Sequence, residues 1–141
     1  MANEQRNYKD TVFRMIFKDK ANLLSLYNAV NGTNYKNPGE LEITTLENAV
    51  YRNMKNDVSC VLDFSLNLYE HQSTVNPNIP LRDLFYVSKI LQGLITNEDL
   101  YSSRQIHIPV PRFFMFYNGI KEMPEQWEKR NVSKMESFQI F

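Results

Sequence analysis

The residues of this chain best suited to chemistry are Asp57, Glu70 and Gln72. They lie in two strand-like runs, NDVSCVLDF and LNLYEHQS. Side chains on a strand alternate between its two faces. Glu70 and Gln72 therefore share a face, and Asp57 shares one with Ser59 and Val61. Asp63 to Leu66 reads as a short turn that folds the two runs into an antiparallel hairpin. With that turn centred between Phe64 and Ser65, residue 57 stands opposite 72 and residue 59 opposite 70. The three polar side chains then converge on one side of the hairpin. A slip of one residue would send Asp57 to the other face. Two carboxylates and an amide oxygen are hard ligands, suited to Mg2+ or Mn2+. Without a cation the carboxylates repel, and one tends to hold a proton. With one, a bound water becomes acidic and positions stay free for a phosphate oxygen. That is the chemistry of phosphodiester hydrolysis. The same residues also suit the solvated face of a half-exposed sheet, and spacing alone leaves both readings open.

The elements that must position these residues are legible to different degrees. In DTVFRMIF, Val12, Phe13, Ile16 and Phe17 form a helical stripe that Asp10 could cap. Asp19 caps a second helix whose face carries Leu23, Leu24, Tyr27 and Val30, with Gly32 as its stop. Asn37-Pro38-Gly39 marks a loop, and LEITTLE allows a short strand. After the hairpin, the stretch 76–80 breaks the chain. LRDLFYVSKILQGLI then has apolar residues at 81, 84, 85, 87, 90, 91, 94 and 95, a long amphipathic helix. Pro109 and Pro111 bracket a loop. RFFMFYNG reads as a buried, central strand stopped by Asn118-Gly119. These elements make one α/β or α+β domain.

Bulk properties narrow the function classes. A chain of 141 residues suits one domain, and 43% hydrophobic with 13% aromatic residues argues against disorder. Sixteen basic residues balance sixteen acidic ones, so any nucleic acid must be met by a local patch rather than by net charge. Lys18, Lys20, Arg52 and Lys55 are candidates for such a patch, though scattered solvated charges are the plainer reading. The single Cys60 excludes an internal disulfide. The polar N-terminus lacks the core of a signal peptide, and no apolar run nears the ~20 residues of a membrane span. A soluble, cytoplasmic protein without a membrane partner is expected.

Other chemically able residues read as structural. His71 faces away from Glu70 and Gln72 and suits packing. His107 suits the surface beside a proline-bracketed loop. Cys60 is a small core residue, and no zinc-ligand pattern joins it to either histidine. Asp63 belongs to the turn.

The stretch KNDVSCVLDFSLNLYEHQSTVNPNIPLRDLFY resembles the Rpn-like recombination-promoting nuclease/transposase family of the PD-(D/E)XK superfamily. DTVFRMIFKDKANLLSLYNAVNGTNY and PRFFMFYNG are similar to other blocks of that family, in the same order, so the resemblance spans residues 8–124. It implies an α/β fold with a restriction-endonuclease-like core: a mixed sheet with a catalytic antiparallel hairpin, flanked by helices. It implies a metal-dependent DNA endonuclease linked to recombination or transposition. Asp57 and Glu70 would bind Mg2+ or Mn2+, and Gln72 would complete the catalytic set. Lysine is commonest at the last position, and glutamine supplies no positive charge there. Arg82 and Tyr86, spaced to share a helix face, match substrate-contacting positions, and Asp10 matches an acidic position of the first helix. The nuclease-like domain would cover 1–124, and 125–141 would form a tail. The family carries a further strand and helices after PRFFMFYNG, so a C-terminally shortened fold is expected. Its alternative role would be a silent binding or oligomerisation module that associates with itself or with full-length relatives.

Overall fold

The computed structural model describes residues 11–46 and 56–122. Asp10, Arg52, Lys55 and the tail 125–141 lie outside the described residues. Helix α1 runs over 11–17 and is followed at once by α2 (Lys20–Asn31). Asp19 makes the second start possible: its Oδ1 accepts the N–H groups of Ala21 at 2.7 Å and Asn22 at 3.4 Å. Gly32 ends α2 at φ 65, a conformation that costs glycine little, and its N–H donates to the Asn28 carbonyl.

The sheet has four strands: β1 (Glu42–Ile43), β2 (Val58–Leu62), β3 (Ser65–Gln72) and β4 (Val110–Tyr117), in the order β1-β2-β3-β4. β2 pairs antiparallel with both β1 and β3, and β4 runs parallel to β3. A parallel pair needs a crossover, which α3 (Ile79–Leu94) and α4 (Asn97–Leu100) supply. The architecture is therefore mixed α/β, a four-stranded mixed sheet flanked by helices. No helix among the described residues is long and apolar enough to cross a membrane.

Each sheet face has its own core. Leu23, Leu24 and Tyr27 of α2 pack on Val58, Cys60, Leu62, Tyr69 and Phe114, with Phe13 and Phe17 of α1 joining at the margin. Tyr86, Val87 and Ile90 of α3 pack on Leu66, Leu68 and Phe113 of the other face. Burying one such aliphatic or aromatic side chain is worth roughly 1.5–3 kcal/mol.

Three sequence expectations need correction. The hairpin turn is Asp63-Phe64, centred one residue earlier than expected, with φ of 48° and 63° at those two positions. Positive φ at both positions matches the right-handed twist of the flanking strands. The turn is held by a 2.7 Å hydrogen bond from the Tyr35 hydroxyl to Asp63 Oδ2 and a 2.9 Å bond from the Val110 N–H to the Phe64 carbonyl. The register follows: Ser59 pairs with Leu68 and Val58 with Tyr69. Second, β4 stands at the end of the described sheet rather than in its centre. It looks central because helices cover both faces and bury Phe113 on one and Phe114 on the other. Third, α3 does not bury its whole apolar set. Ile79, Asp83, Tyr86, Val87 and Ile90 face inward, while Leu81, Leu84 and Phe85 are exposed.

Candidate functional site

Asp57 sits in a bend one residue before β2 begins. Its neighbour Asn56 is buried and accepts the Leu46 N–H at 2.8 Å through Oδ1, which ties the bend to the segment after β1. At this point the β2 backbone no longer pairs with β3, and side chains take over. Asp57 Oδ2 accepts the His71 N–H at 2.7 Å, and the Asp57 N–H donates to Glu70 Oε1 at 3.4 Å. The two carboxylates are thereby drawn to the same end of the hairpin. Continuing the observed register places Asp57 opposite Glu70, not opposite Gln72.

The second oxygen of Asp57 is held from α1. Arg14 donates to Oδ1 through Nε at 3.2 Å and Nη2 at 3.0 Å. Asp57 thus joins α1, on one side of the sheet, to Glu70, which faces α3 together with Leu66 and Leu68.

From α3, Arg82 and Tyr86 reach the same neighbourhood on one helix face, as their spacing implied. Arg82 Nε and Nη2 each lie 3.3 Å from the Tyr86 hydroxyl, and the guanidinium stands 5.9 Å from the ring centre. The charge of Arg82 acts on Glu70, opposing the acidic groups around it. Asp83 belongs here too. It is only 7% exposed, and its Oδ1 has no hydrogen-bond partner.

The electrostatics are those of crowded, buried carboxylates. Burial pushes the Glu70 carboxyl well above the usual range. The charges of Asp57 and Asp83 push the same way, against the Asp57 N–H bond and Arg82. Burial pushes Asp83 up to about 7, and Arg82 pulls against it. Both groups tend to hold protons unless more positive charge arrives.

The structure brings Asp57 and Glu70 together with Arg82 and Tyr86. Gln72 lies further along β3, on the Glu70 face but beside Tyr117 of β4, and its carbonyl accepts the Asn118 N–H at 3.1 Å. No hydrogen bond among the described residues joins its side chain to either carboxylate. His71 turns to the α1 side, as read, and stacks on Phe13 at 5.6 Å. Cys60 is buried in the α2-side core, where burial pushes its thiol up to about 12, so it stays protonated. His107 is exposed, as are Lys18 and Lys20.

Sequence reasoning missed Arg14 and Asp83. Arg14 looks like any solvated helix cation until the fold sets it against Asp57. Asp83 had a usable signal: it precedes Tyr86 and Val87 by three and four residues, so a helix face built on those two includes it.

Among the described residues, no three His, Cys, Asp or Glu side chains form a set that could hold a metal ion. A magnesium site asks for less, since Mg2+ is commonly held by one or two carboxylates and keeps waters of its own. Asp57 and Glu70 meet that demand in residue type, and the buried negative charge around Glu70 is of the kind a divalent cation offsets. Comparison of the chain with protein-family models, with curated proteins and with solved structures finds no match.

Proposed function

We propose that this protein is a Mg2+- or Mn2+-dependent DNA endonuclease of the PD-(D/E)XK type, with a restriction-endonuclease-like core and an Rpn-like role in recombination or transposition. The observation that carries the reading is the adjacency of Asp57 and Glu70 where β2 and β3 part, with Arg82 supplied by α3. The ordered sequence blocks that resemble the family support it as well.

Asp57 and Glu70 would hold the ion through carboxylate oxygens. When bound, such an ion supplies an acidified water and a Lewis acid for the phosphate. The chain's own residues do the rest. The His71 N–H fixes one Asp57 oxygen, so that carboxylate is oriented before any ligand arrives. Burial of Glu70 would keep bulk water from screening the attraction between its ionised carboxylate and a bound ion. Arg82 offers a planar donor set suited to a phosphate oxygen, and Tyr86 holds its guanidinium in place. Gln72 can orient a water as donor or acceptor, but cannot supply the charge of a lysine.

The test is nicking of a supercoiled plasmid by the full chain with Mg2+ or Mn2+, against an EDTA control. Asp57→Ala and Glu70→Ala should each abolish nicking. Equal nicking by wild type and both variants would overturn the reading.

A second reading is a silent binding or self-associating module. The exposed Leu81, Leu84 and Phe85 on α3 favour it. A chain that self-associates or binds DNA without cutting it, in any divalent metal, would support this reading over the first.

A further inference from the structure

Arg14 and a divalent cation make competing demands on Asp57. Two N–H groups of the guanidinium converge on Oδ1, at 3.0 and 3.2 Å, and the His71 N–H takes Oδ2 at 2.7 Å. An oxygen that accepts two donors has no lone pair left for a metal. An ion on the other oxygen would stand within a few ångströms of the guanidinium, with charge of the same sign. The two contacts on Asp57 differ in how easily they give way. The His71 N–H is backbone, fixed within β3. Arg14 is a long side chain on α1, 44% exposed against 8% for Asp57. It can leave for solvent while α1 stays packed through Phe13 and Phe17.

We propose that Arg14 is a built-in counter-cation of this site: it neutralises Asp57 in the metal-free protein and is displaced from Oδ1 when a divalent ion binds. The inference rests on the reading of Asp57 and Glu70 as metal ligands. It explains why a buried carboxylate beside Glu70 is tolerated before metal arrives, because the guanidinium already pairs with it. It also fixes the sign of the coupling. Contact of Arg14 with Asp57 and binding of the ion oppose each other, so removing the arginine strengthens metal binding, and binding releases the arginine to the same extent.

The experiment is calorimetric titration of Mn2+ into the metal-free full chain, in wild type, Arg14→Gln, Arg14→Lys and Asp57→Asn. Arg14→Gln should bind Mn2+ between about fivefold and about a hundredfold more tightly, the range of ordinary coupling. Arg14→Lys, which keeps the charge but loses the fork, should fall between it and wild type. Asp57→Asn should remove binding. A second readout uses wild type alone: the Arg14 Nε–H resonance should move on titration with Mg2+ as its bond to Asp57 breaks. If Arg14→Gln fails to fold, that resonance decides. Binding through Asp57 that leaves affinity unchanged or weaker in Arg14→Gln, or leaves the resonance in place, overturns this inference and spares the metal-site reading. Absence of any Asp57-dependent binding in wild type and in both Arg14 variants overturns both.

Discussion

Asp57 accepts the backbone N–H of His71 at 2.7 Å, so a side chain, not the backbone, prolongs the pairing of β2 with β3. One carboxylate both closes the sheet and faces Glu70. A change at this position therefore alters both the hairpin and the charge beside Glu70. Replacing Asp57 by Ala leaves the His71 N–H and Arg14 without their acceptor. Loss of a nearly buried charged acceptor costs about 2–4 kcal/mol. Urea denaturation should show a loss of that size for Asp57→Ala and a smaller one for Asp57→Asn, which keeps an oxygen for the N–H. An unchanged midpoint in both would contradict this placement.

Stability should fall as pH rises in metal-free protein. Asp83 holds its proton to about 7 in the folded chain, against 3.8 ordinarily, because it is buried. Glu70 shifts in the same direction. Between those pH values the unfolded chain binds fewer protons than the folded one. The contribution is thus fully present below about pH 4 and is lost as pH rises through about 7. Asp83→Asn should remove part of this slope and stabilise the protein at pH 8 by on the order of 2 kcal/mol. Denaturation midpoints from pH 4.5 to 8 in EDTA check it, and a midpoint that rises with pH, or a variant with the wild-type slope, would refute it.

The hairpin turn offers a gain in stability. Phe64 sits at φ 63°, where a bulky side chain is costly, and it is exposed. Phe64→Gly removes about 1–2 kcal/mol of backbone strain and adds roughly 0.5–1 kcal/mol of unfolded-state entropy. A net stabilisation of up to about 1.5 kcal/mol should appear in the denaturation midpoint, with the register of β2 and β3 unchanged. A marked loss of stability would mean that Phe64 makes contacts the turn geometry does not account for.

Arg82 should carry phosphate affinity rather than fold stability. Arg82→Gln should weaken binding of duplex DNA several-fold in EDTA, and the slope of log K against log salt should become shallower by about 1. Fluorescence anisotropy across a salt series measures both. An unchanged slope would remove Arg82 from the DNA-contacting set.

The residues behind these effects were unequally legible in the sequence. Asp57 and Glu70 were legible because alternation along NDVSCVLDF and LNLYEHQS puts polar groups at set positions, and the two runs do pair as an antiparallel hairpin, with its turn one residue earlier than read. Their exact opposition was not legible. It depends on Phe64 entering the left-handed region, which sequence rules assign to glycine or asparagine. The register moved by two positions when summed across the pair, so Asp57 lines up with Glu70 instead of Gln72. The α2 caps, Asp19 and Gly32, were legible because capping is local chemistry. Asp83 was obscured because α3 buries Ile79, Val87 and Ile90 but exposes Leu81, Leu84 and Phe85, so its apolar residues do not mark a single face. Arg14 was obscured because its partner lies 43 residues away in the chain.

In the proposed function Asp57 and Glu70 form a hydrolytic metal site. The most direct measurement is the single-turnover nicking rate of supercoiled DNA by the full chain in Mg2+, for wild type and for Glu70→Gln. That substitution keeps side-chain size and removes the charge. Wild type should cleave in a metal-dependent way, and Glu70→Gln should be slower by at least about a hundredfold, the scale of one lost transition-state interaction. Cleavage by Glu70→Gln at the wild-type rate, or none by folded wild type in either Mg2+ or Mn2+, would contradict it.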